Sequence, residues 1–168
     1  MNVDHLTLVL ADKSDFTFYH AIKSESQSIY WSGFNTAPDR TRLLEHYTAM
    51  LNNENRDIYI LKGNNVRIGY FCVDKDCLNN TVEISYGVSA KYAGRGLAKI
   101  MIKLGLEHIE PMFTMQVAWI AESNIASVKT ATALGFRATD ECEYRQLAQS
   151  PTPVKFIKYS LSANKAYA

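Results

Sequence analysis

The stretch EISYGVSAKYAGRGLAKIMI, residues 83–102, decides the architecture of the chain around it. It continues a β-forming run that spans 81–90, passes through a turn with two glycines, and goes on as an apolar helical pattern that stops at Pro111. A strand, a glycine-bearing turn and a helix in this order present free backbone N–H groups at the helix N-terminus. Those donors and the helix dipole favour an anion such as a diphosphate, although such a turn also serves simply to join a strand to a helix.

The glycines and the charges of the turn support an anion. Gly94 and Gly96 carry no Cβ, so a ligand can approach the backbone closely, and Lys91 and Arg95 add positive charge. The pattern is not a Walker A loop, because no Gly-Lys-Ser/Thr follows. It is not a dinucleotide fingerprint either, because GxGxxG needs a glycine where Lys99 stands.

Hydrophobic alternation and turn signals divide the rest of the chain into further elements. One helix is expected from Phe16 to about Ser32 with Asp15 as its cap, and a second helix begins after Asp39. The helix after the glycine turn is expected from about Gly96 to Glu110, and a fourth lies at 125–134. Strands are predicted at 5–12, 56–63, 66–74, 81–90, 112–121, 138–147 and 154–162.

This order of elements predicts an α/β (α+β) fold. It implies a mixed, mostly antiparallel sheet of about seven strands, flanked on its two faces by about four helices. The crossover from strand 81–90 to strand 112–121 through a helix is expected to be right-handed and parallel. No linker or repeat interrupts the pattern, so residues 1–168 are interpreted as one domain with one sizeable core.

Composition excludes several classes of function. A formal net charge of +1 gives no reason to expect nucleic acid or an anionic membrane as a main partner. No apolar run is long enough to span a bilayer and the first residues do not resemble a signal peptide, so the cytoplasm is the expected location. Three cysteines and four histidines show no ligand spacing, so no metal site is expected.

Two motifs together resemble the GNAT superfamily of N-acetyltransferases. The first, in 83–102, resembles the acetyl-CoA-binding pattern Gln/Arg-x-x-Gly-x-Gly/Ala, with Gly96 and Ala98 at its fourth and sixth positions and Ala93 as a departure at its first. The second, AESNIASVKTATALGF (121–136), is similar to the signature Asn-x-x-Ser, helix, Leu-Gly-Phe, on Asn124, Ser127 and the run 134–136. Asn124 and Ser127 alone also fit ordinary helix capping.

The resemblance implies an acetyl-CoA-dependent N-acetyltransferase that acts on a primary amine, either a small molecule or a protein N-terminus, by direct attack on the thioester. Glu83-Ile84-x-Tyr86 is similar to the branch that acetylates ribosomal-protein N-termini. One alternative is a non-catalytic acyl-CoA-binding sensor or interaction module. Another is a protein-interaction domain whose turn binds nothing. A homodimer stays open.

The family's cofactor site maps onto the two motifs. The strand ending at Val88 should splay from its neighbour to admit the cofactor arm, with a bulge at Gly87, and the Val88 N–H should polarise the thioester carbonyl. The implied cofactor-binding residues are Val88, Lys91, Ala93, Gly94, Arg95, Gly96, Leu97, Ala98, Asn124, Ser127 and Lys129. The charged residues among them, Lys91, Arg95 and Lys129, are also typical of solvated surface side chains that bind no ligand.

Catalytic residues are implied less directly. Glu83 is the first choice for the base that deprotonates the amine, and Glu122 is the second. Each also fits an ordinary structural role: Glu83 as a sheet carboxylate paired with a lysine or arginine, and Glu122 as a cap before the next helix. Many relatives carry a tyrosine as the acid where this chain has Ala131, so Ser127 or Tyr86 is the candidate, unless the thiolate leaves without help.

The acceptor should bind between the first two helices and the late strands. Tyr30, Trp31 and Phe34 are expected to line that cleft together with Glu122, although aromatic residues in such a cluster also serve core or interface packing.

Overall fold

The computed structural model describes residues 5–162. Within this range a single sheet is flanked by α-helices, with short 3-10 helices at Lys13–Asp15 and Ala90–Tyr92. The α-helices are α1 (Phe16–Lys23), α2 (Ser26–Trp31), α3 (Arg40–Leu51), α4 (Leu97–Glu107) and α5 (Ile125–Ala133). The strands are β1 (Leu6–Leu10), β2 (Arg56–Gly63), β3 (Val66–Asp76), β4 (Thr81–Val88), β5 (Met115–Ala121), β6 (Arg137–Arg145) and β7 (Val154–Ser162).

The sheet has the order β1-β2-β3-β4-β5-β7-β6. Every neighbouring pair is antiparallel except β4 and β5, which are parallel and are joined by the crossover through α4. The mixed, mostly antiparallel α/β sheet expected from the sequence is therefore confirmed, with seven strands as predicted. The single parallel pair lies where the glycine turn and its helix interrupt the meander.

Helices cover both faces of the sheet. The face that packs against α4 and α5, called the α4 face, holds the larger core, in which Phe71, Met101, Ile102 and Phe136 are almost fully buried. The opposite face, called the α3 face, packs against α1 and α3 around Tyr47. Because strand side chains alternate between faces, neighbouring residues of β4 belong to different cores.

Helix α4 lies very close to the sheet. A Cβ added at Gly105 would fall 2.3 Å from Cε1 of Phe71, so no larger residue fits there without movement of the helix or the ring. Leu97 and Tyr92 are buried in the same core at the N-terminal end of the helix. Packing at both ends thus fixes where the glycine turn sits relative to β4.

The prediction of a single helix from Phe16 to about Ser32 is wrong, because the helix is interrupted at residues 24–25. The Ser24 hydroxyl donates to the His20 carbonyl at 2.7 Å, which ends α1, and Glu25 is extended with φ −71° and ψ 144°. Two helices replace one, so the described range has five α-helices rather than about four.

Asp15 does not cap α1, contrary to the prediction from sequence. Its buried carboxylate instead accepts from the Asp12 N–H at 3.1 Å and from Arg67 Nε at 2.6 Å, tying the start of α1 to β3. Two other boundaries also differ. Helix α4 ends at Glu107 rather than Glu110, and β5 begins at Met115 rather than at residue 112.

Two kinds of feature are absent from residues 5–162. None of the helices between residues 5 and 162 is long and apolar enough to cross a membrane. Within the same range, no group of three or more His, Cys, Asp or Glu side chains is arranged to hold a metal ion.

Candidate active site

The main feature of the sheet is a gap between β4 and β5. The two strands pair only at their beginnings, and the last paired residues are Glu83 and Val117. Beyond them Ile84–Val88 of β4 has no partner on this side, while β5 continues to pair with β7 as far as Ala121. The splay expected from the sequence is therefore present, and we call this opening the β4–β5 gap.

Backbone donors of β4 point into the gap. In an antiparallel pair, residues alternate between those bonded to the partner strand and those that point away from it. The Ser89 N–H donates to the Ile68 carbonyl at 2.9 Å, and the register with β3 is continuous, so odd-numbered residues here bond to β3. The N–H groups of Tyr86 and Val88 therefore face the β4–β5 gap, where no strand receives them.

The bulge expected at Gly87 is absent, because β3 and β4 stay in register from Gly69↔Val88 to Asp76↔Thr81. Gly87 is needed for another reason. A Cβ at this position would fall 2.6 Å from Cε1 of Tyr70, whose ring covers the strand on the α3 face. The glycine thus lets an aromatic ring lie directly on the strand beside the gap.

The glycine turn, residues 93–97, leads from β4 to the start of α4. Gly94 and Gly96 have φ of 74° and 73°, in the left-handed region that favours glycine, and a Cβ at either would meet nothing within 4 Å. Gly96 is the N-cap of α4 and no side chain caps the helix. Main-chain donors at this end of α4 therefore face open space, as an anion site requires.

Positive charge surrounds the turn. Lys91 Nζ lies 5.5 Å from the centre of the buried Tyr92 ring, and the Arg95 guanidinium lies 5.8 Å from it. Tyr92 holds both cations near the start of α4. Lys129 is exposed on α5. Of the other predicted residues of the turn, Leu97 has a buried side chain and offers only its backbone, and Ala93 ends the 3-10 helix.

Tyr86 and Ser127 meet on the α4 face of the gap. The Tyr86 hydroxyl is the single fully enclosed side-chain N or O atom in residues 5–162 that has no hydrogen-bond partner. Burial raises the pKa of Tyr86, and the adjacent Ser127 side chain opposes the rise. A buried hydroxyl without a partner costs free energy unless a ligand satisfies it.

Asn124 caps α5, the ordinary role that its position in the sequence also allowed. Its side-chain oxygen accepts from the Ser127 N–H at 3.2 Å and caps α5. This bond orients the first turn of α5 toward Tyr86, while the amide NH₂ of Asn124 remains a donor.

Glu83 lies at the apex of the gap on the α3 face. It is the last residue of β4 that pairs with β5, and its cross-strand neighbour on β3 is Asp74. The Glu83 side chain is exposed, so the effect is small, but partial desolvation by the sheet, together with the nearby Asp74 charge, raises the pKa of Glu83, and Arg145 opposes the rise. Among the described residues no lysine or arginine forms an ion pair with it, whereas Asp74 is paired with Arg56. A base with a raised pKa suits proton transfer near neutral pH.

The predicted acceptor residues are only partly brought together. Tyr30 and Trp31 of α2 form an edge-on pair with ring centres 4.7 Å apart and pack near Ala121 at the end of β5. Phe34 is 59% exposed and stands outside that cluster. Glu122 follows β5 at the same edge, where Lys155 lies 3.7 Å from its carboxylate.

Two residues that were not expected from the sequence also approach this region. The Glu25 carboxylate, at the break between α1 and α2, accepts from the Ser89 hydroxyl at 2.7 Å and from the Ala90 N–H at 2.9 Å. Lys23, two residues earlier at the end of α1, places Nζ 3.0 Å from the Ser32 hydroxyl and 5.6 Å from the centre of the Tyr70 ring. The only local signal was the polar run at 23–28, which breaks the helical pattern.

Cavity shape does not point to this region. A cavity of about 240 Å³ lies elsewhere, between β1, β2 and the end of α3, and none of its lining residues belongs to the β4–β5 gap. The candidate site is identified by its unsatisfied donors, its titratable groups and the divergence of two strands.

The chain matches a known family model over most of its length. The family model described as an acetyltransferase (GNAT) domain matches residues 5–137, which include the glycine turn, the gap and Asn124–Ser127. No curated protein matches the chain by sequence.

Solved structures share the fold. Spermidine N-acetyltransferase from Vibrio cholerae, in complex with CoA and spermine, is similar with a TM-score of 0.84 and 15% identity, covering 97% of this chain and 98% of that one. A dodecameric structure of spermidine N-acetyltransferase from the same organism, in an intermediate state, has a TM-score of 0.79 and 16% identity over 96% of each chain. At these identities the likeness establishes the fold.

Proposed function

Because the chain belongs to the GNAT acetyltransferase family and is an N-acetyltransferase, we propose that it moves the acetyl group of acetyl-CoA to a primary amine by direct attack on the thioester. The observation that carries the proposal is the β4–β5 gap, in which the Val88 N–H and the Tyr86 hydroxyl both lack a protein acceptor. The acceptor is either a small molecule or a protein N-terminus, and a homodimer remains part of the proposal.

Residues on the α4 face would bind the co-substrate. The N–H groups of residues 94–98 would hold its diphosphate at the start of α4, with Lys91 and Arg95 supplying charge. The Asn124 amide would donate to the arm that passes α5, and Lys129 would meet the nucleotide's ribose phosphate. The fit rests on three features: the open space at both glycines, the uncapped helix and the orphan tyrosine hydroxyl.

Residues at the gap would carry the chemistry. Glu83 takes a proton from the ammonium, directly or through water, so that the neutral amine attacks the carbonyl carbon. The Val88 N–H donates to the carbonyl oxygen as negative charge develops there. The C–S bond then breaks, and the Tyr86 hydroxyl, with Ser127 beside it, donates a proton to the sulfur, while the second proton lost by the attacking nitrogen returns to the Tyr86 oxygen directly or through water. Glu122 and the Tyr30–Trp31 pair border the acceptor.

We expect Tyr86→Phe to lower turnover about tenfold without loss of stability. The hydroxyl satisfies no protein group, so its removal should leave the free energy of unfolding unchanged or raise it by about 1 kcal/mol. The measurements are urea denaturation and steady-state kinetics.

Tyr47→Phe is the matched control for Tyr86→Phe. The Tyr47 hydroxyl donates to the Asp12 carbonyl at 2.9 Å, so this variant should lose about 1 kcal/mol of stability and keep its turnover. A Tyr86→Phe enzyme that is destabilised and fully active would contradict the role of this hydroxyl.

The function is tested by following the release of free CoA thiol from acetyl-CoA with amino acids, peptides, polyamines and antibiotic amines as acceptors. We expect acetylated product, identified by mass spectrometry, from at least one class, and CoA binding in isothermal titration. Binding of CoA without turnover of any amine would instead indicate a non-catalytic acyl-CoA-binding module. An absence of CoA binding would contradict the proposed site itself.

A further inference from the structure

The α3 face beside the β4–β5 gap is rich in charge, and most of it is internally paired. Near the gap, Asp74 pairs with Arg56 on one side. On the other side, the late strands carry two pairs: Arg145 with Glu143, and Lys158 with Glu141. The Glu25 carboxylate is occupied by Ser89 and Ala90.

Besides Glu25, which is held by Ser89 and Ala90, two charged groups beside the gap on this face have no ionic partner in the described range. One is Glu83, at the apex of the gap. The other is Lys23, whose Nζ has a hydroxyl and an aromatic ring around it but no carboxylate within ion-pair distance. Burial lowers the pKa of Lys23, as expected for an ammonium that lacks a counter-charge. The thiol of Cys72 nearby does not supply one, because burial raises its pKa to about 12.

Contacts place Glu83 and Lys23 near the same part of β4, around Ser85. Lys23 lies over Tyr70, whose ring would meet a Cβ at Gly87, and it also neighbours Cys72, the cross-strand partner of Ser85. Glu83 precedes Ser85 on the same face of β4, about 7 Å along the strand.

We propose that the acceptor carries both an amine and a carboxylate, with the amine at Glu83 and the carboxylate bound by the Lys23 ammonium. This inference rests on the proposed function and narrows its acceptor to free amino acids and related amino-carboxylates. Ser32 orients Lys23 through the bond to its hydroxyl. A polycation has no counterpart at Lys23 and is repelled there. The specificity-determining residue is therefore Lys23.

The test compares free amino acids with their primary amides and with spermidine. For wild-type enzyme we expect the best free acid to exceed its amide at least tenfold in kcat/KM, and to exceed spermidine. Lys23→Met has a similar length without the charge and should lose about 10- to 100-fold on the free acid, mainly through KM, and less than threefold on the amide. Lys13→Met, on an exposed lysine in the 3-10 helix before α1, should change neither value.

A second variant, Ser32→Ala, tests the inference even if Lys23→Met does not fold. Ser32→Ala keeps the ammonium but removes the hydroxyl that orients it, so it should raise KM for the free acid about threefold and leave KM for the amide alone. Equal losses on acid and amide, or preferred turnover of spermidine by the wild type, would overturn the inference while acetyl transfer stands. If no amine is acetylated at all, the proposed function fails and this inference with it.

Discussion

We expect Gly96→Glu to lower the affinity for CoA by at least about 100-fold. Gly96 has φ 73° and is the N-cap of α4, where unpaired N–H groups face open space. A glutamate there would put a side chain and a negative charge into the volume that we propose for the diphosphate. The left-handed backbone costs roughly 1–2 kcal/mol with any non-glycine residue, which a folded domain tolerates. Isothermal titration with CoA measures the effect.

Gly33→Glu is the matched control for strain and charge. Gly33 also has a left-handed backbone, with φ 79°, and the nearest atom to an added Cβ is Leu147 Cδ2 at 3.5 Å. It follows α2 on the other side of the sheet, so this variant should keep its affinity for CoA. Micromolar CoA binding by folded Gly96→Glu protein would show that the diphosphate lies elsewhere.

Glu83→Gln should lower kcat at neutral pH by about 10²- to 10⁴-fold, the range typical of a lost general base. Partial recovery is expected at higher pH, where more of the amine is already neutral. The wild-type rate should fall as the pH drops through the raised pKa of Glu83, since only the ionised carboxylate accepts a proton. The pH profile of kcat is the measurement, with exposed Glu107→Gln as control.

The same substitution has a separate signature in stability. A carboxyl whose pKa is raised in the folded state binds its proton more tightly there than in the unfolded chain, so stability falls as the pH rises through that pKa. At neutral pH the ionised Glu83 therefore opposes folding slightly, and Glu83→Gln should be as stable as the wild type or more so. A wild-type pH profile in the Glu83→Gln enzyme would remove this residue as the base.

Sequence predicted the fold because its main signals are local. The glycine turn, the alternation of β4 and the stop at Pro111 are each determined by a few neighbouring residues. The GNAT family was identified from the same turn and from Asn124–Ser127, and the family match confirms it. The positions of the gap and of Gly94 and Gly96 followed from these elements.

What the sequence missed depends on residues far apart in the chain. The break between α1 and α2 is stabilised by Glu25, whose partner Ser89 is 64 positions away, and no periodicity registers such a contact. The sequence also could not predict that the Lys23 ammonium has no counter-charge, because its surroundings come from β3 and from the end of α2. Asp15 has the residue type of a cap, but Arg67 on β3 draws its carboxylate away.

The Glu25 side chain connects the two sides of the proposed site by hydrogen bonds. Its carboxylate joins the hinge of the acceptor-side helices to the residues just ahead of the glycine turn. Any coupling between the proposed acceptor side and the proposed nucleotide side that passes through this side chain must be reciprocal, because the two binding free energies are linked. A single carboxylate outside both binding motifs thus joins the two sides of the proposed site by hydrogen bonds.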